Sequence, residues 1–134
     1  MNYWLCKTEP SVYSFDQLEA DHETRWDGVR NATALIHIRA MAVGDRVVIY
    51  HSGDVRSAVG LAEVISDPHQ DPEAGDPRWT VVDVRAGKRL EPPVSLTYLK
   101  GLPEFAGSPL VRISRLSVLP LTDEQFKLIT AVNS

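Results

Sequence analysis

The sequence predicts an α+β fold: a mixed, mostly antiparallel sheet or small barrel of about five strands with short helices between them. Three observations carry this. Short stretches rich in β-branched residues recur along the chain, punctuated by Gly-, Pro- and Asp-rich turns. Their spacing suits hairpins, and no regular strand–helix–strand alternation appears. Ser14 with Gln17, and Thr122 with Gln125, have the spacing of capping boxes that open short helices. At 134 residues and 43% apolar content, the chain is expected to form one domain, residues 1–134, with a core that needs no staples.

Residues 3–7 (Tyr-Trp-Leu-Cys-Lys) form the first expected strand, closed by Thr8-Glu9-Pro10 because Pro cannot continue a central ladder. The Ser14 cap predicts a helix to about Ala20. Residues 26–31 follow as a loop. Leu35, Ile38 and Met41 recur at a three-residue step, so residues 33–41 read as a helix with a narrow apolar stripe. Val43-Gly44-Asp45 is a turn, and residues 46–51 are a strand. Ser52-Gly53-Asp54 turns the chain into a paired strand over 58–65, where Gly60 marks a bulge or a close backbone approach. Residues 66–77 are an ordered polar excursion dense in Pro and Asp. Residues 79–85 make another strand, with Trp79, Val81 and Asp83 on one face. A helical turn or two is expected over 94–100, stopped by Gly101 and Pro103. A last strand spans 110–119, and a helix runs from Glu124 to about Ala131.

Composition narrows the function. The formal net charge is −4, so a grip on duplex through many phosphates is excluded as the main activity. Any nucleic-acid role must rest on a local cluster and a selective pocket. A single cysteine, Cys6, excludes an internal disulfide framework, fits a reducing compartment and reads as a buried hydrophobe. No apolar run reaches membrane-spanning length and no secretory signal is visible, so a cytoplasmic location is expected, nuclear if the source is eukaryotic. His22, His37, His51 and His69 have no i,i+4 pairing or Cys partner, and neither metal nor cofactor is expected.

The densest chemistry lies in Trp26-Asp27-Gly28-Val29-Arg30-Asn31. Trp26 offers a flat face for a planar ring, Gly28 a permissive backbone, and Arg30 a fork of donors for phosphate or carboxylate. The plainer reading is a loop with one anchoring Trp and a helix N-cap at Asn31. Trp4 with Lys7-Thr8-Glu9-Pro10, and Tyr50-His51-Ser52, are two further strand ends that combine polar and aromatic groups. All three converge on one concave site if the sheet closes. Two other function classes stand beside a binding pocket. One is a small hydrolase using His51 with Glu9 or Glu63. The other is a protein-interaction module working through the acidic residues of 67–76.

Taken together, Trp4-Leu5-Cys6-Lys7-Thr8-Glu9-Pro10, Trp26-Asp27-Gly28-Val29-Arg30-Asn31, Met41-Ala42-Val43-Gly44-Asp45, Tyr50-His51-Ser52, Val94-Ser95-Leu96 and Ser114-Arg115-Leu116-Ser117-Val118 resemble, in order, the signature blocks of the EVE domain. The resemblance implies a PUA-like fold, a small mixed barrel of five to six strands with peripheral helices, related to YTH and SRA domains. It implies a non-catalytic reader of a modified nucleobase in DNA or RNA, with modified cytosine the leading candidate. Trp26 falls where a YTH-like reader has a cage tryptophan, and Lys7-Thr8 where it has a Lys-Ser pair.

The expected base site is therefore Trp26, Lys7, Thr8, Glu9, Val29, Asn31, Tyr50, His51 and Ser52. Lys7, Arg30 and Arg115 are expected on phosphates, and Val29 and Leu5 form an apolar recess for a methyl group. The partner is nucleic acid, without a membrane, and the chain is expected to act as a monomer. Two positions depart from the family pattern. Ala32 stands where a large aromatic is common, and Ile113 where a polar residue is frequent.

Overall fold

Val47, Val48, Ile49 and Tyr50 are consecutive and all buried, so the segment that carries them needs cover on both faces. In the computed structural model, which describes residues 1–132, that segment is a central strand of a curled mixed sheet. In chain order the elements are β1 (Tyr3–Thr8), α1 (Phe15–Asp21), β2 (Glu23–Trp26), α2 (Ala32–Arg39), β3 (Arg46–His51), β4 (Ser57–Val64), β5 (His69–Gln70) and β6 (Thr80–Ser95). Then come α3 (Leu96–Lys100), a 3₁₀ turn (Pro103–Phe105), α4 (Pro109–Arg112), β7 (Val118–Leu121) and α5 (Asp123–Ala131). The main path runs β2-β6-β4-β3-β1-β7, with β5 paired to β6. Only β1 and β3 are parallel; the other pairs are antiparallel. The mixed, mostly antiparallel fold expected from the sequence is the fold observed.

Closure comes from a helix. Leu35, Ile38 and Met41, the apolar stripe, are all buried, and α2 packs against both β6 and β7 on opposite sides of the path. Asp45, in the turn before β3, is buried. Its carboxylate accepts from the Trp4 indole N–H at 2.9 Å and from the backbone N–H groups of Asn2 and Ala42 at 3.0 Å each. These bonds compensate its desolvation and fix the start of β1 to the start of β3.

Three sequence expectations change. There are seven strands among the described residues, because Glu23–Trp26 pairs with β6 and His69–Gln70 folds back within the 66–77 excursion. The strand expected over 79–85 continues to Ser95, since β4 pairs with it, through two register shifts, from Val84 to Ser95. Val81, Val82 and Val84 are all buried, so both faces of this part of β6 are covered. The last strand is short. Ser108 caps Leu110 N–H and Pro109 occupies the first helical turn, so 109–112 is helix and pairing begins only at Val118.

Candidate nucleic-acid interface

Thr8 ends β1, and the chain reverses where Glu9 C=O accepts from Val12 and Tyr13 N–H at 2.9 Å each. The Thr8 hydroxyl donates to Tyr13 C=O at 2.8 Å, which seats Tyr13 beside the end of β1. Trp26 arrives from another direction, at the end of β2 opposite Val82. The chain leaves the sheet immediately after it, where Gly28 takes φ +78°, a conformation other residues resist. The Tyr13 and Trp26 rings meet at 84° with centroids 6.3 Å apart. They form an aromatic corner.

That corner is part of a cleft of about 470 Å³, within the ~300–1,000 Å³ usual for small-ligand sites. Its polar lining includes Lys7, Thr8, Thr24, Arg25 and Arg30, and Asp27 is its one carboxylate. Val29, nearly buried, supplies an apolar wall. Lys7 is half-buried, and burial lowers its pKa from the ordinary lysine value. Its Nζ donates to Ser114 C=O at 3.0 Å and stands 5.8 Å from the Tyr50 ring centroid. Arg25 is held by Asp71 at 3.6 Å and Glu73 at 3.4 Å. Arg30 lies over Trp79, 4.5 Å from its ring centroid, with Arg78 at 4.8 Å from the same ring. Burial raises the Tyr13 pKa, opposed by its hydrogen bond with Thr24.

Of the residues expected at the base site, Trp26, Lys7, Thr8 and Val29 come together here with Arg30. Tyr50 and Ser52 line a second cleft on the far side of Lys7. Asn31 is the N-cap of α2, its side chain accepting from Ala34 N–H at 3.0 Å. Glu9 carries its carboxylate against Gly53. Leu5 is fully buried in the core and Arg115 is exposed outside both clefts. Ala32 starts α2 with its side chain exposed and does not line the first cleft. Sequence reasoning missed Tyr13, Thr24 and Arg25. Thr24 and Arg25 carried a signal only through a strand too short to recognise.

His51 is occupied structurally. Its Nε2 accepts from Phe15 N–H at 3.0 Å, and burial lowers its pKa, with Asp16 and Arg89 the charges that act on it. Glu63 pairs with Arg46 at the other end of β3, five residue steps or ~17 Å away, which removes it as a carboxylate partner. Burial pushes the Cys6 thiol up to about 12, so it is an inert core group. In the acidic excursion, Asp71 and Glu73 face Arg25 of β2 and Asp76 pairs with Arg78.

A curled mixed sheet closed by a helix, with an aromatic and basic cleft at the strand ends, defines a PUA-like binding domain. The EVE domain family model matches residues 2–132. The chain is 33% identical to rat (Rattus norvegicus) thymocyte nuclear protein 1, over 98% of this chain and 73% of that protein. It is similar to a Rhodopseudomonas palustris protein solved by NMR (41% identity, TM-score 0.92, 99% of this chain and 93% of that one). The crystal structure of human THYN1 in complex with 5-methylcytosine-containing DNA matches with TM-score 0.89 and 27% identity, over 100% and 98% of the two chains. The chain belongs to the EVE domain family.

Proposed function

We propose that this protein is a non-catalytic reader of a modified nucleobase, with 5-methylcytosine in DNA as its first candidate ligand. The observation that carries the reading is the aromatic corner of Tyr13 and Trp26, set among Lys7, Arg25 and Arg30. The human relative's complex with 5-methylcytosine-containing DNA supports the choice of ligand. A base enters such a cleft only when flipped out or already single-stranded. Trp26 stacks on it, a contact worth ~1–3 kcal/mol in comparable sites. Asp27 accepts from the exocyclic amine of cytosine, where thymine and uracil present an acceptor instead. Thr8 and the backbone of 27–28 hold the remaining edge, and Val29 takes the methyl group. Burying one methyl contributes only about 1 kcal/mol, so the modification sharpens a recognition that stacking and Asp27 establish. Lys7 and Arg30 position the strand without reading sequence. No bond is made or broken.

The test is a fluorescence titration with short single strands and duplexes, each with and without 5-methylcytosine. Quenching that depends on the methyl group is expected, and Trp26→Ala should weaken binding about 5- to 150-fold, the equivalent of the lost stacking. Because Trp26 is 7% exposed, Asp27→Lys serves as a second variant that spares the fold. Unchanged affinity for methylated strands in both variants sinks the reading.

A further inference from the structure

Beyond Lys7 lies a second cleft of about 380 Å³, whose lining includes Tyr50, Ser52, Arg56, Lys100 and Ser114. Lys7 lines both clefts and is the partition between them. The charged side chains lining the second are Lys7, Arg56 and Lys100, and the Glu9 carboxylate lies against Gly53 at its edge, in a chain of net charge −4. Neither Arg56 nor Lys100 is among the site residues expected from the sequence.

Ten of the fourteen Lys and Arg side chains enter no salt bridge among the described residues, and three of these ten line the second cleft. Arg25, Arg78, Arg85 and Arg89 are spent on neighbouring acids: Arg85 on Glu23 and Glu63, Arg89 on Asp16, Glu19 and Glu91. Among the described residues, Lys7, Arg56 and Lys100 enter no salt bridge. The backbone adds an independent observation. Arg56 has φ +46°, in the left-handed region that costs any residue with a Cβ free energy. Its carbonyl accepts from Leu96 N–H at 2.8 Å and its Nε donates to Gly53 C=O at 3.1 Å, so the strained residue is tied down at both ends. Its charge opposes the rise that burial imposes on the Tyr50 pKa. A glycine would satisfy that backbone at lower cost; an arginine there supplies a fixed cation.

We propose that the second cleft binds the phosphodiester backbone of the strand next to the base held in the first cleft. Lys7 sits between base and phosphate, Arg56 and Lys100 neutralise the neighbouring phosphates, and the Ser52 and Ser114 side chains offer hydroxyl donors. This rests on the reader function proposed above. The chemistry recognised is a phosphate anion flanked by sugar, which a nucleic-acid strand supplies and free phosphate only mimics.

The experiment is an amide NMR titration of the full chain with an abasic deoxyribose-phosphate tetramer and, separately, with inorganic phosphate. Saturable shifts are expected at the amides of Ser52, Gly53 and Ser114, with the tetramer binding at least tenfold more tightly than phosphate. Arg56→Gln with Lys100→Gln should weaken the tetramer at least tenfold. The same pair should lower the salt slope for a methylated strand by about 1.4, at ~0.7 per phosphate contact, while leaving the methylated-to-unmethylated affinity ratio intact. Arg56→Gly guards against a folding artefact, since it should raise the Tm and still weaken the tetramer. No saturable shift at those amides, or no loss in the variants, overturns the proposal. Inorganic phosphate binding as tightly as the tetramer overturns the strand as its source. Loss of methyl discrimination in the wild-type chain, with tetramer binding preserved, removes the base reader and leaves the backbone site standing.

Discussion

Phe15 shows how a single residue ties a helix to three neighbouring strands of the sheet. Its N–H donates to His51 Nε2, its ring packs on the Gly60 backbone, and the Arg89 guanidinium lies 5.1 Å from its ring centroid. A Cβ built at Gly60 would stand 2.3 Å from two carbons of that ring, and Phe15 is fully buried. Gly60→Ala is therefore expected to cost about 2–3 kcal/mol by overpacking. Chemical denaturation should also show Phe15→Leu in the same chain recovering part of the loss, because the two sites share one contact. The His51 bond gives a pH dependence of definite sign. Burial keeps His51 neutral below the ordinary histidine pKa of about 6.5, so on acidification the unfolded chain takes up this proton first. Its contribution is complete above about pH 6.5 and is lost as pH falls through the lower folded value. His37, also lowered by burial, acts in the same direction. Tm measured from pH 7.5 down to 5 should fall, and His51→Gln, which keeps an acceptor for Phe15, should flatten part of that fall.

At the scale of elements, local chemistry was legible and long-range pairing was not. Ser14, Thr122 and the stripe of α2 each act within a few residues, and each is where the spacing placed it. Asn31 carried two readings, base contact and N-cap, and the structure uses its side chain as the cap. Asn31→Ala should then lower stability by about 1 kcal/mol, and Asn31→Ser, which can still cap, should restore most of it. A Ser variant of normal stability that loses base discrimination would return Asn31 to the base site. Glu23–Trp26 escaped notice because four residues with little apolar character gain strand form only from their pairing with β6. Segment 110–119 misled for the opposite reason. Its apolar content is real, but Leu110 enters the core from a helical turn, Leu116 from the approach to β7 and Val118 from β7 itself. The cleft shared this fate: Trp26, Val29 and Arg30 stood out together in sequence, whereas Tyr13 joins them only because the Glu9 turn folds it back.

For the molecule as a whole, net charge and binding surface point in opposite directions. Asp and Glu outnumber Lys and Arg by 18 to 14, and among the described residues eight of those acids pair with Arg25, Arg78, Arg85 and Arg89. Lys7, Arg30, Arg56 and Lys100 stay outside every salt bridge among the described residues, and all four line the two clefts. A strand crossing both clefts would meet these four cations. Each neutralised phosphate on a single strand contributes ~0.7 to the fall of log K with log salt, so four contacts predict a slope of about −3. A protein that relied on a broad basic face would show a much steeper one. Affinity for a methylated single strand, measured between 50 and 300 mM salt, checks this directly. The same measurement on unmodified strands should give a similar slope with weaker binding throughout, because phosphate contacts position the strand and the cleft alone distinguishes the base. A slope steeper than about −5 would mean that exposed cations such as Arg115 share the contact, and that the strand runs well beyond the two clefts.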